Sequence, residues 1–198
     1  MSEISVVCVY CASSAMVGQI YFDATERLAR EIVRGGISVV YGGGAIGLMG
    51  RLADTVLAEG GKITGVIPKF MDDVEWSHQR LTELVFTETM HQRKARLIEN
   101  IDAVIALPGG TGTFEELFEV ITLKRLGLFT KPIAILNTNN YYENLKAMLN
   151  KCVAENFMKP KHLSMWSFVD QPEDVISVLQ NTPQWSKDAI NFAVVRNF

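Results

Sequence analysis

The stretch Ala103-Val104-Ile105-Ala106-Leu107-Pro108-Gly109-Gly110-Thr111-Gly112-Thr113-Phe114-Glu115-Glu116 holds a complete structural unit in one short run. Residues 103–107 are apolar and of strand length, and Pro108 stops them. Glycines follow, and from 113 to 126 apolar side chains return at helical spacing. A buried strand that passes through glycines directly into a helix is the repeating unit of a parallel α/β sheet.

The same alternation extends in both directions. Apolar runs predict strands at 4–10, 37–41, 63–67, 84–86, 133–136 and 166–169. Helical spacing predicts helices at 21–34, 48–58, 89–100, 142–155 and 172–179. In the first of these, Ala24, Leu28 and Ile32 share one face, and Gly35-Gly36 ends it. Gly60-Gly61 closes the second, and 72–79 reads as loop. The strands are continuous apolar runs rather than alternations, so both faces of the sheet are covered. No repeat, linker or low-complexity segment interrupts the pattern. The reading is a single doubly wound α/β domain over 1–180, with a tail at 181–198 whose weak periodicity leaves open whether it packs or stays mobile.

Composition narrows the function. About half of the 198 residues are hydrophobic and a fifth charged, as in an ordinary globular protein. A net charge of −3 with no basic stripe argues against a nucleic-acid partner. The apolar runs fall far short of the ~20 residues that cross a bilayer. Residues 1–5 show no secretory signal, and three cysteines suit a reducing compartment, so a cytoplasmic protein is expected. Cys8-x-x-Cys11 has no second Cys/His pair at zinc-finger spacing, and structural thiols are the favoured reading over a metal site.

In such a sheet, ligands gather where the strands' carboxyl ends meet the helices. Three of those loops suit an anion: Cys11-Ala12-Ser13-Ser14, Tyr41-Gly42-Gly43-Gly44-Ala45-Ile46-Gly47 and the 107–113 loop. Ser13, Ser14, Gly43 and Gly44 are therefore candidate ligand contacts. Neither glycine loop is a P-loop, since no Lys-Ser/Thr follows at the required spacing. The G-x-G-x-x-G at 42–47 follows the second strand and lacks an acidic partner about twenty residues on, which argues against a dinucleotide.

Glu116 has two readings. With Thr113 it spells a capping box, a purely structural role. Alternatively, an acid beside an anion site is there to meet a developing cation, such as the oxocarbenium of a breaking ribosyl–base bond. Glu115 is its neighbour and competitor. Arg93 shares a helix face with Met90 and Leu97, so its guanidinium is either in a structural salt bridge or bound to an anion. Lys94 can reach a ligand or remain solvated, and His91 is a weak candidate base. No Ser/His/Asp arrangement and no metal set is apparent.

Pro108-Gly109-Gly110-Thr111-Gly112-Thr113-Phe114-Glu115-Glu116 resembles the P-G-G-x-G-T-x-x-E signature of the Lonely Guy family, and Met90-His91-Gln92-Arg93-Lys94 resembles its M-H-x-R-K motif. Gly47-Leu48-Met49-Gly50, Val66-Ile67-Pro68 and Lys131-Pro132 also fit, so the likeness spans roughly residues 4–179. It departs at Ala12 and Ala15, which bear on the phosphate contacts, and at Thr111 and Leu123, positions that can shape a base pocket. The resemblance implies a Rossmann-like fold, a homodimer, and hydrolysis of cytokinin riboside 5′-monophosphates or AMP without metal or organic cofactor. It implies Arg93 and Glu116 as the catalytic pair. It further implies nucleotide contacts from Gly110, Thr111, Gly112, Thr113, Glu115, Lys94, Glu75 and Thr122. The rival expectations are a non-catalytic nucleotide-binding or carrier protein and a broader nucleotide nucleosidase.

Overall fold

A computed structural model describes residues 3–72 and 77–194. Seven strands form one sheet: β1 (Val6–Tyr10), β2 (Ser38–Tyr41), β3 (Ile63–Pro68), β4 (Glu83–Thr87), β5 (Ala103–Ala106), β6 (Ile133–Leu136) and β7 (Ser167–Val169). Their order is β4-β3-β2-β1-β5-β6-β7, and every pair is parallel. The helices are α1 (Gln19–Arg34), α2 (Gly47–Ala58), α3 (Lys69–Asp72), α4 (Met90–Leu97), α5 (Thr111–Arg125), α6 (Glu143–Ala154) and α7 (Val175–Asn181). The chain is the expected doubly wound, Rossmann-like α/β domain. None of the described helices is long and apolar enough to cross a membrane.

Side chains of β1 alternate between two cores. Val7 and Val9 join α1, α2 and α7 on one face of the sheet, while Cys8 and Tyr10 join α4, α5 and α6 on the other. Leu28 and Ile32 of α1 are fully buried, and each contributes about 1.5–3 kcal/mol of transfer free energy. Gly36 lets α1 stop, its φ of 70° lying in the left-handed region.

Successive crossovers run from β1 out to β4, then return to β5 beside β1 and run out the other way. The loops leaving β1 and β5 therefore diverge and open a crevice between them. Three elements differ from the sequence expectation. Residues 69–72 form a short helix. Ser77, in the stretch read as loop or irregular structure, makes an isolated bridge to Gly44. A 3-10 segment, Pro160–Met165, precedes β7. The described part of the tail packs on the end of α5 and the loop after it: Arg125 donates two bonds to the Ala193 carbonyl, and the Trp185 backbone N–H donates to Thr130 O.

Candidate active site

The crevice is walled by three strand-to-helix turns. After β1, the backbone of Ser13 and Ser14 lies against Gly47, whose φ is 67° and whose added Cβ would stand 2.5 Å from Ser13 C and Ser14 O. Only glycine allows that approach, and it brings the start of α2 against the serine loop. After β2, the buried Tyr41 hydroxyl donates to Gly44 O at 3.1 Å. Gly42 faces Arg93, and a Cβ there would come within 2.4 Å of Nη2. Gly43, at φ 79°, turns instead toward β3, where its neighbours are Ile67 and Val66.

After β5, α5 begins at Thr111 with Gly110 as N-cap and no side-chain cap. Its first backbone bond at that end runs from Phe114 N–H to Gly110 O. The N–H groups of Thr111, Gly112 and Thr113 thus have no carbonyl of their own helix to bond, and they lie at the positive end of its dipole. An added Cβ on Gly110 or Gly112 would meet no protein atom within 4 Å. Protein packing does not require glycine at these positions, and the bare backbone faces open space into which an anion can come close.

This start excludes the capping box. Thr113 is the third helical residue and Glu116 lies a turn further in, its side chain turned to Arg93. Arg93 comes from α4, which Thr89 caps by accepting Gln92 N–H. The guanidinium donates Nη1 to Glu116 Oε1 at 2.5 Å and Nε to Val66 O at 3.1 Å. Both side chains are about nine-tenths buried, yet both line the crevice. Burial lifts the Glu116 carboxyl above the ordinary carboxylate range, and Arg93 pulls it part of the way back. Burial, then the Glu116 charge, push the Cys11 thiol far up, which favours the protonated form of this cavity-lining cysteine.

Two confluent cavities result. One, about 320 Å³, is walled by Ser13, Ser14, residues 110–113, Arg93 and Glu116. The other, about 270 Å³, shares Ser13, Gly42, Met49, Met71 and Arg93 and continues between Ile46 and Ile67. The structure thus brings Arg93, Glu116, Ser13, Ser14, Gly44, Gly110, Thr111, Gly112 and Thr113 together. It does not bring Lys94, Glu115, Thr122 or Gly43 to the walls. Lys94 pairs with Glu115 and, at 3.2 Å, with Glu119. Thr122 is exposed, its hydroxyl bonded to Phe118 O. Glu75 lies outside the described residues. Sequence reasoning passed over Gly42, Met49, Met71 and Ile67. Gly42 belongs to a loop already singled out, but methionine and isoleucine carry no local mark that separates a pocket wall from a core.

Fold and site define a doubly wound α/β protein in which an uncapped helix start and a buried carboxylate–guanidinium pair line one cavity. Residues 49–179 match the family model described as "Possible lysine decarboxylase". The chain is 46% identical over 153 residues to the probable cytokinin riboside 5′-monophosphate phosphoribohydrolase LOGL1 of Oryza sativa subsp. japonica, covering 77% of this chain and 69% of that one. It is 44% identical over 152 residues to cytokinin riboside 5′-monophosphate phosphoribohydrolase LOG2 of Arabidopsis thaliana, covering 77% and 71%. The chain belongs to the Lonely Guy family. Among solved structures, the molybdenum cofactor binding protein of Rippkaea orientalis superposes with a TM-score of 0.67 over 90% of this chain and 96% of that one. At 17% identity, that likeness concerns the fold alone.

Proposed function

We propose that the chain hydrolyses the N-glycosidic bond of purine nucleoside 5′-monophosphates, cytokinin riboside monophosphates and AMP among them, to free base and ribose 5-phosphate. The observation that carries this reading is the ionic pair Arg93–Glu116 in the wall of a cavity that the uncapped start of α5 also lines. The names of the similar plant proteins support the reaction class.

In this reading the 5′-phosphate rests on the amides of residues 110–113, with Ser13 and Ser14 at its side. The ribose then lies toward Glu116, and the base enters the apolar annex between Ile46, Met49, Ile67 and Met71. As the C1′–N bond breaks, its electron pair leaves with the base and positive charge develops on the sugar. The Glu116 carboxylate stabilises that charge and takes a proton from the attacking water. Arg93 fixes the carboxylate's orientation and keeps it ionised against its burial. Hydroxide adds to C1′ and the proton ends on the base, so water is consumed and nothing else is needed. Lys94, Glu115, Thr122 and Glu75 are proposed nucleotide contacts by resemblance only.

A decarboxylase working through a lysine Schiff base is disfavoured, because no lysine lines either cavity among the described residues. A homodimer and a cytoplasmic location are part of the proposal. The half-exposed Phe118 and Met90 on α5 and α4 suit a subunit contact, and light scattering on the purified protein tests it. The proposed nucleotide-binding domain is residues 1–180, with 181–198 read as a C-terminal tail. The deciding assay incubates the protein with AMP, isopentenyladenosine monophosphate, pyrimidine monophosphates and adenosine, and follows base and ribose 5-phosphate by chromatography. Purine monophosphates should be cleaved and adenosine spared. Binding without base release would indicate a carrier, and cleavage of every monophosphate a broad nucleosidase.

A further inference from the structure

Two adjacent tyrosines from the β6–α6 connection reach across to the turn that leaves β5. The buried Tyr142 hydroxyl donates to Leu107 O at 2.7 Å, and the Tyr141 hydroxyl donates to Gly109 O at 2.7 Å. Those carbonyls bracket Pro108, which has no N–H of its own to steady the turn. The Gly109–Gly110 peptide that follows joins the two most permissive residues available and is the softest link in the cradle. A trans peptide is planar, with its C=O and N–H pointing in opposite directions. Holding Gly109 O from one side therefore aims Gly110 N–H to the other.

We propose that Tyr141 is a positioning residue for the anion cradle: its hydroxyl, bound to the Gly109 carbonyl, turns the Gly110 N–H into the cavity. Tyr141 lines a side pocket with Tyr21, Leu48 and Pro108 that adjoins the polar cavity at Ser14 and Gly110; its own side chain is not on the polar cavity's wall, and its hydroxyl is spent on the Gly109 carbonyl. Its ring is fixed in advance by edge-to-face packing on Tyr142 at 5.0 Å and Tyr21 at 5.9 Å. The connection that carries it is equally set. Asn139 and Asn140 take left-handed φ values of 54° and 58°, and Asn137 Oδ1 accepts Tyr142 N–H at 2.8 Å. The cradle is thereby oriented before any ligand arrives, and binding need not order it. The inference rests on the proposed phosphate placement.

The test compares Tyr141→Phe with Tyr21→Phe. Both keep their rings, and the Tyr21 hydroxyl makes no hydrogen bond among the described residues, so its loss reports structure alone. Tyr141→Phe should raise the Kd for ribose 5-phosphate and the KM for the nucleoside monophosphate about three- to tenfold, because binding must then order a Gly109–Gly110 peptide that the wild-type protein holds in advance. Its kcat should stay within about twofold of wild type, and its Tm should lie no more than about 4 °C below that of Tyr21→Phe, the stability cost of one lost hydrogen bond. An unchanged Kd, or a fall in kcat with KM unmoved, overturns the positioning role. A wild-type protein that binds ribose 5-phosphate but releases no base would sink the hydrolase reading while leaving the Tyr141 comparison intact. A wild-type protein that does not bind ribose 5-phosphate would sink both.

Discussion

Replacing Glu116 by glutamine removes one charge from the cavity wall while leaving its shape. The amide keeps an oxygen for Arg93 Nη1, and Arg93 Nε keeps its bond to Val66 O. Going from a charge-assisted to a neutral hydrogen bond costs about 1–2 kcal/mol. Part of that is offset, because the buried carboxylate was itself disfavoured, as its raised pKa records. Arg93 also loses its counter-ion on the cavity wall, so a net loss of about 1–3 kcal/mol lowers Tm by about 2–12 °C in a domain of this size. The reaction loses far more. A positioned base is worth about 10²–10⁴-fold and charge stabilisation at the reacting centre a similar factor, so kcat should fall at least about 10³-fold, or about 4 kcal/mol of barrier. Ribose 5-phosphate should bind as well as before or more tightly, since an anion near the phosphate has gone. Chromatographic base release, calorimetric binding and thermal melting together read all three quantities. A variant retaining kcat within tenfold of wild type would refute the reasoning, as would one whose lost activity merely tracks a large loss of Tm.

Gly112→Ala should raise Tm slightly, by up to about 1 kcal/mol of stability, because alanine favours the helix and its Cβ meets no protein atom. The same methyl occupies ligand space, so ribose 5-phosphate should bind at least about tenfold more weakly; lowered Tm with unchanged affinity would contradict this. Catalysis needs ionised Glu116, so kcat at saturating substrate should decline as pH falls through that group's raised pKa. The acid limb then lies above 4.5, and a pH–kcat profile flat down to 4 would exclude the assigned role. Lys124 is buried, donates to Lys131 O at 2.6 Å, and is pushed down by burial to about 8. Between that value and 10.5 the unfolded chain binds the extra proton, so this group's contribution to stability rises with pH by up to about 3 kcal/mol. The Tm advantage of Lys124→Met over wild type should therefore shrink from pH 7 to pH 10, and a constant difference would count against it.

The succession of strands and helices and the loops that wall the crevice were legible because strand-length apolar runs and glycine breaks are local signals. The 103–116 stretch alone announced the unit that the sheet repeats. Boundaries were less so: α5 starts at Thr111, two residues before the expected 113, because Gly110 caps it through its backbone and leaves no side-chain mark. That shift dissolved the capping box and freed Glu116 for Arg93, a partner 23 residues away that no helical spacing could reveal. Arg93 was recognised as needing an anion, and the anion proved to be the other candidate residue. Lys94 and Glu115, neighbours of that pair in the sequence, point about 100° away on their helices and meet each other instead. Tyr141 escaped notice because its function lies in one hydroxyl reaching a carbonyl 32 residues distant. Such a contact is a product of topology alone.

A crystal structure of the wild-type protein with ribose 5-phosphate would test the central claim most directly. The phosphate oxygens should lie about 3 Å from the backbone nitrogens of residues 110–113, with the anomeric carbon within about 3.5 Å of a Glu116 carboxyl oxygen. A phosphate bound elsewhere, or a Glu116 carboxyl turned from the sugar in a protein that still cleaves nucleotides, would contradict the account.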